Sequence, residues 1–527
     1  MRYPDMKTTE ELSAKWLTLV REAFARSDGS VKGVARELAS ALGSGLGGAV
    51  VEGIVELAAY AGATVKDEAS AIDEEEAAVV AARRVVRPVL QAKLQARLDG
   101  LDAKLVGLAE CPGCKKTAES QGRRSRSWDS ILGRLRLKRR YAFCDDCKQG
   151  VAPAQKALGL TDSDFTPRLE EVTTMMATTV PFGMAKTLVA KLCGIEVSIK
   201  GVEEMVERRA DAVQRLDTEE AKTCAPYDST GLPVKTQQLP GDTVPANATP
   251  DVAYLEIDGV IPITREELAR KEMTATERRR LDRAKKAKAR GGKGRRYRIV
   301  GREVKNAVLY DGKDCATESP GRGCILKKTY VSHLGDWATF AALLWVAMLR
   351  LRFERAKLLV VLSDGADWIR TLAKWLPVPS LLILDLFHVK HRIWEVANSV
   401  YGERSEKARR WAYAQCDRVE AGQAEKVIEA LKFLKPTRSE AKVLVEQLAG
   451  YLINNRDRMD YPNYRARGLR ISSGTVESAN FHVTGTRLML QGMRWSAEGA
   501  GQMAALRADL FNGRWESRSR QMLKAAS

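Results

Sequence analysis

Three acidic residues in the second half of this 527-residue chain stand where strands would end. Asp258 closes the run Tyr254-Leu255-Glu256-Ile257-Asp258-Gly259, Asp364 follows the apolar run from Leu358 to Ser363, and Glu477 lies in Ser473-Gly474-Thr475-Val476-Glu477-Ser478. Carboxylates delivered this way can hold two divalent cations, Mg²⁺ or Mn²⁺. Such a pair, about 4 Å apart, clamps both the attacking and the leaving oxygen of an in-line phosphoryl displacement. The chain has 86 Lys+Arg against 67 Asp+Glu, a net charge of +19, so it attracts polyanions in a salt-dependent way. A cation-holding acid set in a basic chain points to polynucleotidyl transfer. A basic protein with no such partner is the plainer alternative.

A second set of ligand-type residues lies earlier. Cys111-Pro112-Gly113-Cys114 and Cys144-Asp145-Asp146-Cys147 are two tight pairs among nine cysteines, which fits metal binding in a reducing compartment better than a disulfide framework. Four thiolates from two knuckles suit tetrahedral Zn²⁺ in a closed, structural site. The intervening residues 115–143 exceed the usual spacing, so four unligated buried thiols remain the alternative. Leu135, Leu137 and Tyr141 alternate with Arg134, Arg136, Lys138 and Arg140. That period of two predicts a strand over 131–143 with one basic face.

The elements that must position these residues divide the chain. Residues 1–105 read as helical (9–25, 31–42 and 74–98), with the Gly-rich piece 43–48 as a linker. Residues 106–160 form a zinc-ribbon-like β module. Residues 161–222 read as helices broken at 194–198, either a helix-turn-helix whose second helix (200–215) enters the major groove or a plain helical hairpin. Residues 223–250 read as a linker, and 251–527 as an α/β domain. Within it, strands are expected at 252–258, about 298–310, 325–332, 358–362 and 381–384, with a helix at 337–350. A basic insertion spans 265–298, and a helical insertion spans about 401–470. Three strands, a helix and a fourth strand bearing an acid are the opening order of an RNase H-like fold. There the first and fourth strands are neighbours, which would bring Asp258 and Asp364 together. Like charges that close need a cation to neutralise them. Asp-Gly is also common in turns, and Asp367 rivals Asp364.

The order Asp258, Asp364, Asp385-x-x-His388, a long helical insertion and Glu477 resembles the Mutator-like DDE transposases of the RNase H superfamily, and in particular the bacterial insertion-sequence transposases of the Kra group. The blocks 472–480, Arg487, Gly492-Met493-Arg494-Trp495 and Asn512-Gly513-Arg514-Trp515 carry the likeness, as does the Cys-pair region leading into Ala157-Leu158-Gly159-Leu160. It covers roughly residues 105–520. The resemblance implies metal-dependent DNA cleavage and strand transfer at terminal inverted repeats, with two Mg²⁺ (or Mn²⁺) held by Asp258, Asp364 and Glu477. It makes Asp385 and His388 neighbours of the catalytic centre or contacts to the DNA end.

Lys390, Arg487 and Arg494 are expected phosphate ligands by charge and position, as are Arg295 and Arg296 in the basic insertion. Trp394 is read either as a base-stacking surface or as core, while Trp495 and Trp515 are expected to anchor the terminal helix. Expected partners are double-stranded DNA, as terminal repeats and target, and further copies of the chain, at least a dimer on DNA. No membrane partner and no small-molecule cofactor are expected. The N-terminus lacks an apolar signal core and the run 338–349 is too short to span a bilayer, so a cytoplasmic, nucleoid-associated bacterial protein is expected. The alternatives are a non-catalytic zinc-containing DNA-binding regulator and a related nuclease of the same fold.

Overall fold

The computed structural model describes residues 70–526, except 106, 108, 246–248, 268–273, 277, 280–281, 284–296, 320–321 and 377–378, together with parts of 18–61. The chain divides into two compact units, residues 1–205 with 519–527, and residues 206–518.

The first unit contains α1 (Val31–Leu42) and the long α2 (Ala71–Lys104). The helix expected at 9–25 lies largely outside the described residues. Strands β1 (Glu119–Ser130), β2 (Gly133–Cys144) and β3 (Gln149–Val151) form an antiparallel sheet in that order. Sequence pattern announces only β2, because β1 reads Glu-Ser-Gln-Gly-Arg-Arg-Ser-Arg-Ser and carries no apolar alternation. Leu135 and Leu137 are buried, Leu137 with Trp128 and Leu98 in a small core, while Arg134, Arg136, Lys138 and Arg140 are exposed. Arg139 departs from the expected alternation. It lies on the buried face, 5.5 Å from the Tyr141 ring centre, and donates to Gln155. The outer edge of β2 is covered by α2. Gln91, Gln95 and Asp102, spaced along one helix face, accept the N–H groups of Arg136, Lys138 and Arg140 at 2.8–3.0 Å, which removes an open strand edge. Beyond α3 (Pro153–Ala157) come α4 (Pro167–Thr179) and α5 (Phe182–Cys193). Gly194, at φ +64°, ends α5 in the left-handed conformation that glycine tolerates. The chain passes into the second unit within α6 (Ile199–Cys224).

The second unit is mixed α/β. Its five-stranded sheet has the order β10-β7-β4-β11-β12, from β4 (Val252–Val260), β7 (Val304–Asp311), β10 (Thr329–Leu334), β11 (Leu358–Ser363) and β12 (Ser380–Leu384). Strands β10, β7 and β4 are antiparallel, and β4, β11 and β12 are parallel. Two of the expected strands are each divided. The first splits near Arg302 into β6 (Tyr297–Gly301), which pairs with β5 (Ile263–Glu267) in a separate hairpin, and β7. The second gives β9 (Arg322–Ile325), paired with β8 (Cys315–Ser319), and β10. Polar residues and an exposed Leu326 interrupt it between the two.

Both faces of the sheet are covered, and a strict period of two assigns the side chains. Ala253, Leu255 and Ile257 face α7 (Trp337–Leu351), which is buried almost all round, and α8 (Asp367–Trp375). Tyr254, Glu256 and Asp258 share the other face, against α9 (Leu386–Tyr401) and the helical insertion α10 (Glu406–Glu420), α11 (Ala424–Lys432), α12 (Ser439–Asn455) and α13 (Tyr461–Ala466). The chain then forms α14 (Gly474–Ala479), a π turn at Asn480–Gly485, α15 (Thr486–Leu488), α16 (Ala497–Phe511) and α17 (Trp515–Ala526). The segment expected as a linker runs along α7. Thr236 O accepts the Trp345 indole N–H at 3.2 Å, and Val244 N–H donates to Arg350 O at 2.9 Å.

Candidate functional site

Parallel pairing places three acids at one edge of the sheet. β4 and β11 are in register up to Ile257↔Ser363, so Asp258 and Asp364, each one residue further, stand side by side where the parallel pairing stops; β4 itself runs on to Val260 against β7. Asp385 follows the last residue of the next parallel strand. The crevice outside the carboxyl ends of parallel strands is where such sheets bind ligands. Asp364 rather than Asp367 belongs to this edge, since Asp367 is exposed on the first turn of α8. Asp364 also serves its turn, accepting Ala366 N–H at 3.1 Å before Gly365 at φ +94°.

Glu477 arrives on α14, which packs on β4 and β7. Its Oε1 lies 3.7 Å from His388 Nε2, which is 3.9 Å from Asp385 Oδ2. Asp385, His388 and Glu477 offer ligand atoms within 4.8 Å of one another and could hold a divalent cation. Neither His388 Nε2 nor Glu477 Oε1, both shielded from solvent, has a hydrogen-bond partner, so the donor set fits a cation. Burial pushes the Asp258, Asp385 and Glu477 carboxyls above the usual carboxylate range. Asp364 pushes Asp258 further, and Asp385 and Asp258 do the same to Glu477. The acids at 258, 364, 385 and 477 therefore act electrostatically as one group. The compact trio includes Asp385 and His388, whereas the sequence reading had put Asp258 and Asp364 with Glu477.

Asp258 is held by an amide relay that sequence reading missed. Ser332 Oγ–H donates to Asn306 Oδ1 at 2.6 Å, and Asn306 Nδ2 donates to Asn480 Oδ1 at 2.7 Å and to Thr484 Oγ1 at 2.8 Å. Asn480 Nδ2 then donates to Asp258 Oδ2 at 2.6 Å. The carboxylate, which only accepts, fixes both amides: Asn480 must turn its NH₂ to Asp258 and its oxygen to Asn306, and Asn306 must turn its oxygen to the serine hydroxyl. Asn480 and Thr484 meet Asn306 because they lie in one π turn, a distortion common at functional sites.

Several expected contact residues are placed differently. Arg487 is 1% exposed, with its guanidinium 4.8 Å from the Trp495 ring centre and pushed down to about 10 by burial. It packs the C-terminal helices and does not face solvent, where a phosphate would lie. Lys390 is ion-paired with Glu420, which also holds Arg465 at 2.5 Å. That pairing ties α9 to the helical insertion. Trp394 is half-buried, packed against the core and edge-on to the exposed Tyr413 at 5.2 Å. Trp515 is buried under Arg209 at 3.7 Å. Arg494 is exposed, and Arg295 and Arg296 lie outside the described residues.

In the first unit the four Cys Sγ atoms fall within 4.8 Å of one another. Each pair is followed by a residue with positive φ, Lys115 at 62° and Lys148 at 51°, and Lys116 joins Asp146 across the two knuckles at 2.6 Å. Backbone N–H groups, that of Cys114 foremost, lower the Cys111 thiol to about 7. This cluster could hold zinc, closed on all four positions by protein sulfur.

No family profile and no curated protein matches the chain. Among solved structures it is similar to a chain of the Drosophila P element transposase strand transfer complex, at 10% identity and a TM-score of 0.20, over 68% of this chain and 82% of that one. A likeness that loose bears on neither fold nor activity. Among the described residues no helix is long and apolar enough to cross a membrane.

Folding raises the carboxyls at 258, 385 and 477, so between the ordinary carboxylate range and the raised values the native state holds protons that the unfolded chain has released. Stability falls as pH rises through that window and stays lower above it. In EDTA at neutral pH, Asp258→Asn should therefore stabilise the protein, by on the order of 1 kcal/mol per pKa unit relieved. Mg²⁺ should raise the wild-type melting midpoint and leave that of Asp258→Asn largely unmoved. A wild-type midpoint indifferent to both Mg²⁺ and pH would contradict the crowding of these acids. Elemental analysis should find one zinc per chain, lost in Cys144→Ser; a metal-free, fully folded wild type would exclude zinc.

Proposed function

We propose that the chain is a divalent-metal-dependent polynucleotidyl transferase with an RNase H-like catalytic domain, acting as the transposase of an insertion sequence. The observation that carries this reading is the convergence of Asp258, Asp364 and Asp385 where the parallel pairing of β4, β11 and β12 stops, with Glu477 brought to them by α14. The strand order β10-β7-β4-β11-β12, in which the first and fourth of its strands along the chain, β4 and β11, are adjacent, is the arrangement expected of an RNase H-like domain. In this reading Asp258, Asp364 and Glu477 hold two Mg²⁺ or Mn²⁺. Bound there, the cations lower the cost of forming the attacking oxyanion and of releasing the 3′ oxygen. Asn480 keeps Asp258 oriented through its donated hydrogen bond. Asp385 holds the start of α14 and of α9, and His388 stands beside Glu477 where a proton or a DNA oxygen can be met.

The DNA is drawn in by the chain's net charge of +19 and, in the first unit, by the exposed Arg and Lys face of β2. Phe387 and Phe481 take the base-stacking role in this reading. They are 54% and 62% exposed, one beside His388 and the other beside Asn480, and each offers a flat apolar face to a base displaced at the cleaved end. Terminal inverted repeats as substrate, and assembly of at least two copies on them, rest on the resemblance of the motif order to the Kra-group transposases.

The test is cleavage of duplexes bearing the repeats that flank the gene, with Mg²⁺ or Mn²⁺. Nicked and joined products are expected, and Asp364→Ala should lower the rate about 10²–10³-fold or more. Phe387→Ala should lose cleavage on intact duplex but retain it on ends with the flanking base already unpaired. Tight binding without nicking at any metal concentration would leave a DNA-binding regulator, and nicks without joined products would leave a nuclease.

A further inference from the structure

We infer that Glu256 is a positioning residue that sets the place of Glu477, by capping from another strand the helix that carries it. This rests on the reading of the acidic site as a divalent-cation centre. Glu256 is completely buried in the middle of β4, on the face it shares with Asp258. A carboxylate there is costly unless every oxygen is engaged. One oxygen accepts Tyr310 O–H at 2.5 Å, and the other accepts Val476 N–H at 2.9 Å. Arg470 Nε stands 4.0 Å away and compensates the charge.

Val476 is the third residue of α14; its N–H, the donor that an N-cap side chain normally satisfies, reaches the Ser473 carbonyl at 3.0 Å as well as Glu256 at 2.9 Å. Ser473 occupies the cap position but makes no side-chain cap bond. Its hydroxyl and its N–H, the latter at 3.1 Å, donate instead to Asp385. The first turn of α14 is thus gripped at both ends by buried carboxylates, Asp385 after β12 and Glu256 on β4. Glu477 is the next residue. Glu256 therefore links the strand that bears Asp258 to the helix that bears Glu477, and the spacing between those two acids depends on it. It reaches no substrate. Removing its grip lets α14 shift on the sheet and separates the two parts of the cation site.

The full chain is tested as Glu256→Gln, with Tyr310→Phe as a milder second variant that leaves Glu256 in place. Mn²⁺ binding is measured by calorimetry without DNA, and amide exchange is followed over residues 473–480. Glu256→Gln should weaken Mn²⁺ about tenfold, the scale of lost outer-shell support. It should also speed exchange at Thr475 to Asn480 and raise the Mn²⁺ needed for half-maximal cleavage, with the KM for DNA unchanged. Tyr310→Phe should move the same readouts less, and it decides the matter if Glu256→Gln does not fold. Wild-type Mn²⁺ affinity and wild-type exchange over 473–480 in the folded variant would overturn the inference. A wild type whose Mn²⁺ binding is insensitive to Asp258→Asn would instead sink the cation-centre reading, and the exchange result would still judge the clamp.

Discussion

Negative charge crowded at the ends of neighbouring parallel strands is the constraint around which the second unit is organised. Strands about 4.8 Å apart that each carry an acid where their parallel pairing stops bring carboxylates within range of strong mutual repulsion, and burial strengthens it. The sheet accepts this at Asp258, Asp364 and Asp385 and adds Glu477 from above. The arrangement persists because rigid neighbours over-determine it. Both sheet faces are packed, α7 is buried almost throughout, and Asn480 and Ser473 donate directly to two of the four acids. A cation held there would relieve the repulsion, so that the fold would regain what the acids alone cost.

The acids divide into two kinds by what they touch. Asp385 and Glu256 are fully buried and spend their oxygens on protein donors. Asp258, Asp364 and Glu477 are partly open. Open carboxylates near one another are free to take a cation, whereas buried, saturated ones fix geometry. Asp385 positions α9 and α14 through the oxygens it spends on protein donors, while its Oδ2, 3.9 Å from His388, still belongs to the trio that could hold a cation.

Much of this was legible in the chain. The positions of β4, β11, β12 and α7 follow from apolar runs bounded by Asp-Gly and by Arg350, because strands buried on both faces need unbroken apolar sequence. The Cys pairs stand out by type and spacing. The division of the strand expected over 298–310 did not. Val300 and Val304 read as one period-two run, and only the pairing partners, β5 for one half and β4 for the other, separate them. β1 was invisible because its strand character comes from β2 opposite it and not from its own polar residues. Glu256 had left a signal that went unused, a charge inside Ala-Tyr-Leu-Glu-Ile, where a central strand admits one only with partners waiting.

Residue type proved a poorer guide to contact than to composition. Lys390, Arg487 and Trp394 all have the chemistry of nucleic-acid contacts, yet Glu420, Trp495 and Tyr413 engage them. A long helical insertion needs charges and aromatics of its own to dock on a sheet, and the sequence does not mark which are spent there. Exposure alone does not mark it: Phe387 and Phe481 stand open, and Phe433 is more exposed than either. What distinguishes the first two is their place in the chain, each next to a residue of the acidic site, His388 and Asn480.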